Sequence, residues 1–190
     1  AKQGAAMQGT DKQGTAIAVF VKTPGLSPVK TRLAATIGIT AAEGFYRLSC
    51  QAIEQTLQHL TKTVAVTPFW AVGEIDGLAH PLWQGFESIH TGEGDLGERQ
   101  HHIYQTLLAK YQRVILIGAD SPQLSARHLN SAIAALDKHS FALGPAVDGG
   151  YYLLAGRAPI RKEIWTVFYT PQQCRDLNSQ AEENDVNFSL

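Results

Sequence analysis

Long apolar runs are missing from this chain of 190 residues. None approaches the roughly 18 consecutive apolar residues a helix needs to cross a bilayer. Cysteine is scarce: there are only Cys50 and Cys174, with no Cys-x-x-Cys spacing. A disulfide scaffold is therefore not expected, and a reducing cytoplasm is the default setting. Cys174 has no evident base beside it in sequence, which argues against a cysteine nucleophile. Charge does not accumulate either. Sixteen Lys and Arg stand against 17 Asp and Glu for a formal net charge of -1, with no basic run interleaved with aromatics. That balance points away from nucleic acid and from membrane surfaces. There is no Gly-x-Ser-x-Gly elbow, and His101 and His102 are adjacent rather than four apart, so they form no helical metal pair. At least one of the two is expected at the surface. The first 15 residues lack an apolar centre and are no signal peptide; they are expected to be a disordered leader.

What is present is a core. The hydrophobic fraction is 44%, enough for one domain of ordinary size. Ala16–Val21 reads as the first and central strand. Thr40-Ala41-Ala42-Glu43 matches a capping box, and behind it Tyr46, Cys50, Ile53, Leu57 and Leu60 fall on one helical stripe. Cys50 is thereby placed in the core. Thr63–Thr67 and Phe86–His90 read as strands, 97–110 as a helix with Ile103, Tyr104, Leu107 and Leu108 apolar, and 113–118 as another strand. Ser125 can cap a helix bearing Leu129, Ala132, Ile133 and Leu136. Phe141–Leu143 and Tyr151–Leu154 read as strands around Asp148-Gly149-Gly150, and a last helix is expected near Pro171. Strands alternate with helices, so the fold class is α/β: a single-domain, three-layer α/β/α, Rossmann-like sandwich with a mostly parallel mixed sheet. The domain is expected over 16–177, with a polar tail over 178–190.

Four stretches carry candidate chemistry. In Ile115-Leu116-Ile117-Gly118-Ala119-Asp120, an apolar strand delivers a carboxylate just past its end, where ligands of open α/β sheets bind. Asp120 there is either a metal ligand holding phosphate or a turn acid. The loop from Lys22 to Leu33 follows the first strand. It nearly imitates a phosphate-binding P-loop, but Val29 stands where the pattern needs Gly before Lys and Pro28 removes a backbone donor; a Walker-type ATPase is excluded. Lys22, Lys30 and Arg32 remain, either as a cradle for a di- or triphosphate or as a solvated basic loop. In Gly94-Asp95-Leu96-Gly97-Glu98-Arg99, glycines allow close backbone approach to a ligand, and the following helix offers N–H groups to an anion. Asp95 and Glu98 serve equally as an N-cap and a first-turn acid. Around Asp148, one reading is an ordinary hairpin turn. The other sets a second carboxylate facing Asp120, with Gly149 and Gly150 leaving room for a sugar or nucleotide.

These motifs, in this order over about 16–175, resemble the DUF2064 family, also known as the rSAM/selenodomain-associated transferase 1 group, of the glycosyltransferase-A superfamily. The matching pieces are Phe20-Val21-Lys22-Thr23-Pro24 with Val29-Lys30-Thr31-Arg32-Leu33, Gly94–Arg99, Leu116–Pro122 and Leu143–Tyr152. The resemblance implies a nucleotide-diphospho-sugar transferase fold in which Asp120 holds Mg²⁺ or Mn²⁺ against the nucleotide's phosphates. Asp148 is implied as a second acid near the metal or acceptor. Lys22, Lys30 and Arg32 would neutralise phosphate charge, with Asp95, Gly97 and Arg99 on the nucleotide side and Gly149, Gly150 and Tyr151 on the acceptor or sugar side. Lys30, Arg32 and Asp148 are the expected catalytic groups. Lys30-Thr31-Arg32-Leu33 also looks like the Lys-Ser-Arg-Leu loop of phospholactate guanylyltransferases. The expected activity is metal-dependent transfer from a nucleotide sugar to a small-molecule acceptor. Nucleotidyl transfer from a nucleoside triphosphate is the alternative, and a non-catalytic nucleotide-binding module is the rival from another class. The family's Trp-Ser-Thr-Pro segment is replaced here by Val167-Phe168-Tyr169-Thr170-Pro171.

Overall fold

β1 (Gln13–Val21) is buried from Thr15 to Val19 and again at Val21. A strand covered on both faces needs such a continuous apolar run. It is hydrogen-bonded in parallel to β2 (Val66–Val72) on one side and to β4 (Tyr111–Gly118) on the other. The structure, a computed structural model, describes residues 12–147, 150–165 and 186–187. Among these, β3 (Glu87–His90), β5 (Phe141–Pro145), β6 (Tyr151–Gly156) and β7 (Val186–Asn187) complete a seven-stranded sheet of order β3-β2-β1-β4-β6-β5-β7. β6 alone runs against its neighbours; the sheet is mixed and mostly parallel, as expected.

Alternation along β1 separates two cores. Ile17, Val19 and Val21 pack with Tyr46, Cys50, Ile53 and Leu57 of α2 (Ile39–Leu60) and with Leu129 and Ala132 of α4 (Ala126–Ala135). Ala16 and Ala18 face the other way, against Ile103, Tyr104 and Leu107 of α3 (Leu96–Leu108) and Trp165 of α5 (Lys162–Trp165). Successive strand side chains point to opposite faces, so one nine-residue strand anchors both helical layers. The three-layer α/β/α architecture is therefore as read.

Several boundaries differ. The strand begins at Gln13, so the last residues assigned to the leader belong to the sheet. The segment read as loop through Leu33 turns helical at Thr31, forming α1 (Thr31–Ile37). Thr40 is not a cap. α2 begins at Ile39 with Gly38 as its N-cap, and Gly38 takes φ 87°, a left-handed value that parts the two helices. Thr63–Thr67 is mostly the exit turn of α2, with Thr63 N–H donating to Leu60 O; the strand runs on through Pro68 to Val72. Proline is tolerated there because β3 pairs only from Phe69 onward, so no neighbour on that side requires its missing donor. The helix expected near Pro171 and Cys174 lie outside the described residues.

Candidate functional site

The C-terminal ends of β1 and β4 lie side by side, with Phe20 opposite Gly118. Their exits open into a cavity of about 940 Å³. Lys22, Lys30 and Arg32 line it from the β1–α1 side, Gly118 and Asp120 from β4, Arg99 and Gln100 from α3, and Gly150 and Tyr151 from the start of β6. Seven of the residues singled out in the sequence are thus brought to one place: Lys22, Lys30, Arg32, Arg99, Asp120, Gly150 and Tyr151. Asp148 and Gly149 lie outside the described residues.

The loop after β1 is rigidly built. Lys22 N–H donates to the Tyr46 hydroxyl at 2.8 Å, and that hydroxyl donates back to Lys22 O at 3.0 Å. Thr23 is fully buried. Its N–H donates to Glu74 Oε2 at 2.8 Å, its Oγ1 accepts from Trp83 Nε1 at 3.1 Å, and its carbonyl accepts from Leu26 and Ser27 N–H. Lys22's side chain is left exposed on a fixed backbone. Burial pushes the Tyr46 phenol well above its ordinary range, so it serves here as a neutral clamp.

Lys30 caps α1 in a left-handed conformation, φ 49° and ψ 42°, and is the one non-glycine residue with positive φ among the described residues. Its Nζ lies 2.7 Å from Asp120 Oδ1 and 5.3 Å from the centroid of the Phe45 ring. The lysine side chain is 17% exposed and the aspartate 76%. Asp120 therefore projects into the cavity mouth while its counter-ion is held beneath.

Arg99 spans three segments. Its Nε donates to Gly94 O at 3.0 Å; its Nη1 donates to Gly73 O at 3.0 Å and to Thr91 Oγ1 at 3.1 Å. None of these acceptors is a carboxylate, so among the described residues no anion neutralises its charge. Lys22 and Arg32 likewise make no ion pair among the described residues. Tyr151 donates to Gln100 Oε1 at 2.7 Å, tying the β6 wall to α3.

Asp95 and Gly97 do not line the cavity. Asp95 Oδ1 accepts from Glu98 N–H at 2.9 Å and Glu98 Oε2 accepts from Asp95 N–H at 3.1 Å, a reciprocal cap on α3. The Asp95 N–H, then the Lys162 ammonium, hold the Glu98 carboxyl below its usual range. Gly97 packs tightly on α5: a Cβ there would stand 2.9 Å from the Trp165 carbonyl oxygen. His102 is exposed, whereas His101 is half-buried with its ring 6.0 Å from that of Trp165.

Sequence reasoning missed Tyr46, Thr23, Glu74, Trp83, Thr91 and Gln100. Tyr46 was placed only as a core residue. Thr91 joins the site through Arg99, eight residues on, and the others through partners fifty or more residues away; no local pattern marks such contacts. Among the described residues no group of three or more His, Cys, Asp or Glu could hold a metal ion. Nor, among the described residues, is any helix long and apolar enough to cross a membrane.

The model of DUF2064, a family described as uncharacterized protein conserved in bacteria, matches residues 52–171. No curated protein matches the chain. A solved structure from Desulfovibrio desulfuricans G20, provisionally named a nucleotide-diphospho-sugar transferase, is 26% identical with a TM-score of 0.76; the match covers 92% of this chain and 79% of that one. A 4-diphosphocytidyl-2C-methyl-D-erythritol synthase from Anaerococcus prevotii is 10% identical with a TM-score of 0.54, covering 93% and 88% of the two chains. A CMP:2-keto-3-deoxy-manno-octonic acid synthetase complexed with CTP is 10% identical at 0.52, covering 93% and 89%. At that identity the last two show a shared fold.

Proposed function

The chain belongs to the bacterial family DUF2064, and on that premise we propose that it is a metal-dependent transferase acting on a nucleotide-activated donor. The observation that carries this reading is the convergence of Lys22, Lys30, Arg32, Arg99 and Asp120 on one cavity at the strand ends. The preferred donor is a nucleotide-diphospho-sugar, in keeping with the name of the Desulfovibrio neighbour.

In either glycosyl or nucleotidyl transfer, negative charge grows on a phosphate oxygen as the bond to the leaving group breaks. In this reading Lys30, held by Asp120 before reaction, and Arg32, lining the same cavity, would stabilise that charge; such preorganised charge is often the largest catalytic contribution. Lys22 and Arg99 would bind the remaining phosphate charge, and Gly150 and Tyr151 would bound the acceptor or sugar, with Gly149 in the same stretch of chain. Asp120 is a hard oxygen donor beside this phosphate cradle. Mg²⁺ is typically held by one or two carboxylates together with substrate phosphates, so Asp120, with Asp148 as the second acid, suits Mg²⁺ or Mn²⁺. Such an ion, when bound, would supply Lewis-acid stabilisation of the leaving phosphate.

A second reading is supported by the excess of cations. Lys22, Arg32 and Arg99 have no carboxylate partner among the described residues, more positive charge than a diphosphate and an ion-bound aspartate require. That excess suits a nucleoside triphosphate or an acceptor with its own phosphate, and hence nucleotidyl transfer. Product analysis separates the two. The full chain is incubated with labelled nucleotide sugars and, separately, labelled nucleoside triphosphates with Mg²⁺ or Mn²⁺. Glycosyl transfer releases a nucleoside diphosphate; released pyrophosphate would establish the second reading instead. Nucleotide-dependent thermal stabilisation without product under any metal condition would leave a binding module.

A further inference from the structure

We infer that Lys30 couples the two ligands of this site: its ammonium holds the Asp120 carboxylate against a bare divalent cation and gives it up when a phosphate anion arrives. The inference rests on the proposed phosphate-and-metal reading of the cavity. Lys30 Nζ is 2.7 Å from Asp120 Oδ1, and no other hydrogen bond or ion pair holds that carboxylate among the described residues. A cation approaching alone must displace the ammonium and leave it facing that cation. A cation arriving with phosphate brings the ammonium a replacement anion.

The geometry is asymmetric in the sense this requires. The lysine side chain is mostly covered and the aspartate mostly exposed, so the lysine is the fixed partner. Its position is set by a backbone conformation that only glycine adopts freely, next to Val29, which is buried. The Phe45 ring, 5.3 Å from Nζ, offers the ammonium a favourable neighbour while it changes anions. Coupling of this kind is reciprocal: phosphate tightens metal binding by the factor by which metal tightens phosphate binding.

The test uses the full chain, Mn²⁺ alone as the metal probe with free Mn²⁺ read by electron paramagnetic resonance, and inorganic pyrophosphate as the base-free anion. Lys30→Met and Lys30→Gln are expected to bind Mn²⁺ alone roughly fivefold more tightly than the wild type, the size of a partly exposed ion pair. Both are expected to lose most of the gain in Mn²⁺ affinity that pyrophosphate confers on the wild type. Lys30→Arg, which keeps the cation, is expected to retain most of the gain in Mn²⁺ affinity that pyrophosphate confers. Asp120→Asn must abolish Mn²⁺ binding in every background. Unchanged or weaker Mn²⁺ binding by folded Lys30→Met and Lys30→Gln, with Asp120→Asn still abolishing it, overturns the coupling and leaves the site intact. Undetectable Mn²⁺ binding by the wild type, Lys30→Met and Lys30→Gln alike also overturns it. Mn²⁺ binding that survives Asp120→Asn refutes the underlying site instead.

Discussion

Lys30 combines a strained backbone with a functional charge, and substitution can separate the two. At φ 49° a side chain costs roughly 1–2 kcal/mol relative to a residue free to adopt that region. Lys30→Gly should therefore stay within about 1 kcal/mol of the wild type in urea unfolding, because relief of strain offsets the extra freedom of the unfolded chain and the lost ion pair. Lys30→Val, β-branched at the same φ, should fall about 1–2 kcal/mol below Lys30→Gly. Both should lose nucleotide-dependent thermal stabilisation; a Lys30→Gly protein that kept it would show that the ammonium does not touch phosphate. Asp120 was legible as a residue at a strand's end, but its lysine partner was not. Ninety residues of chain separate the two, and only the parallel pairing of β1 with β4 sets them side by side.

At the scale of elements, the N-terminus of α3 shows one motif dividing its work: Arg99 lines the cavity, while Asp95 caps the helix and Gly97 packs it. Asp95→Ala should cost about 1 kcal/mol of stability, the usual loss for an N-cap, and should leave nucleotide affinity within about twofold. A tenfold loss of affinity in isothermal titration would return Asp95 to the site. Gly97→Ala should cost about 1–3 kcal/mol, because its Cβ would stand 2.9 Å from the Trp165 carbonyl and force α3 away from α5. Chemical denaturation of the variant checks this, and a neutral result would mean that α5 yields easily. The sequence pattern of α3 named its buried face correctly, since Ile103, Tyr104, Leu107 and Leu108 are all buried. It could not distinguish glycine for ligand approach from glycine for helix packing, because both uses require only a missing side chain.

Across the whole molecule, burial of titratable groups beneath the cavity makes stability sensitive to alkali. Burial pushes the Cys50 thiol from 9.0 up to about 11 and raises Tyr46 in the same direction. Folding therefore favours their protonated forms. The contribution is fully present below pH 9, where the unfolded thiol is still protonated, and is lost as pH rises through 11. For Cys50 the loss is on the order of 2 kcal/mol. Urea unfolding between pH 7 and 11 should show this decline, and Cys50→Ala should remove the part that begins near pH 9. A variant with the same pH profile as the wild type would show that the thiol is solvated in the folded state.

The amino-acid sequence by itself determined the fold class, the two-sided burial of β1 and the list of charged residues near the strand ends, because alternation and apolar runs are local signals. Helix starts were less legible: Thr40 and Glu43 matched a cap, yet Gly38 with its positive φ placed the boundary earlier. Only the tertiary structure decided which charges meet. It put Lys30 on Asp120, turned Arg99 toward Gly73 and Thr91, kept Asp95 as a cap, and clamped the Lys22 backbone with Tyr46. These choices rest on distances between groups far apart in the chain, which sheet register and helix packing set and no local pattern encodes.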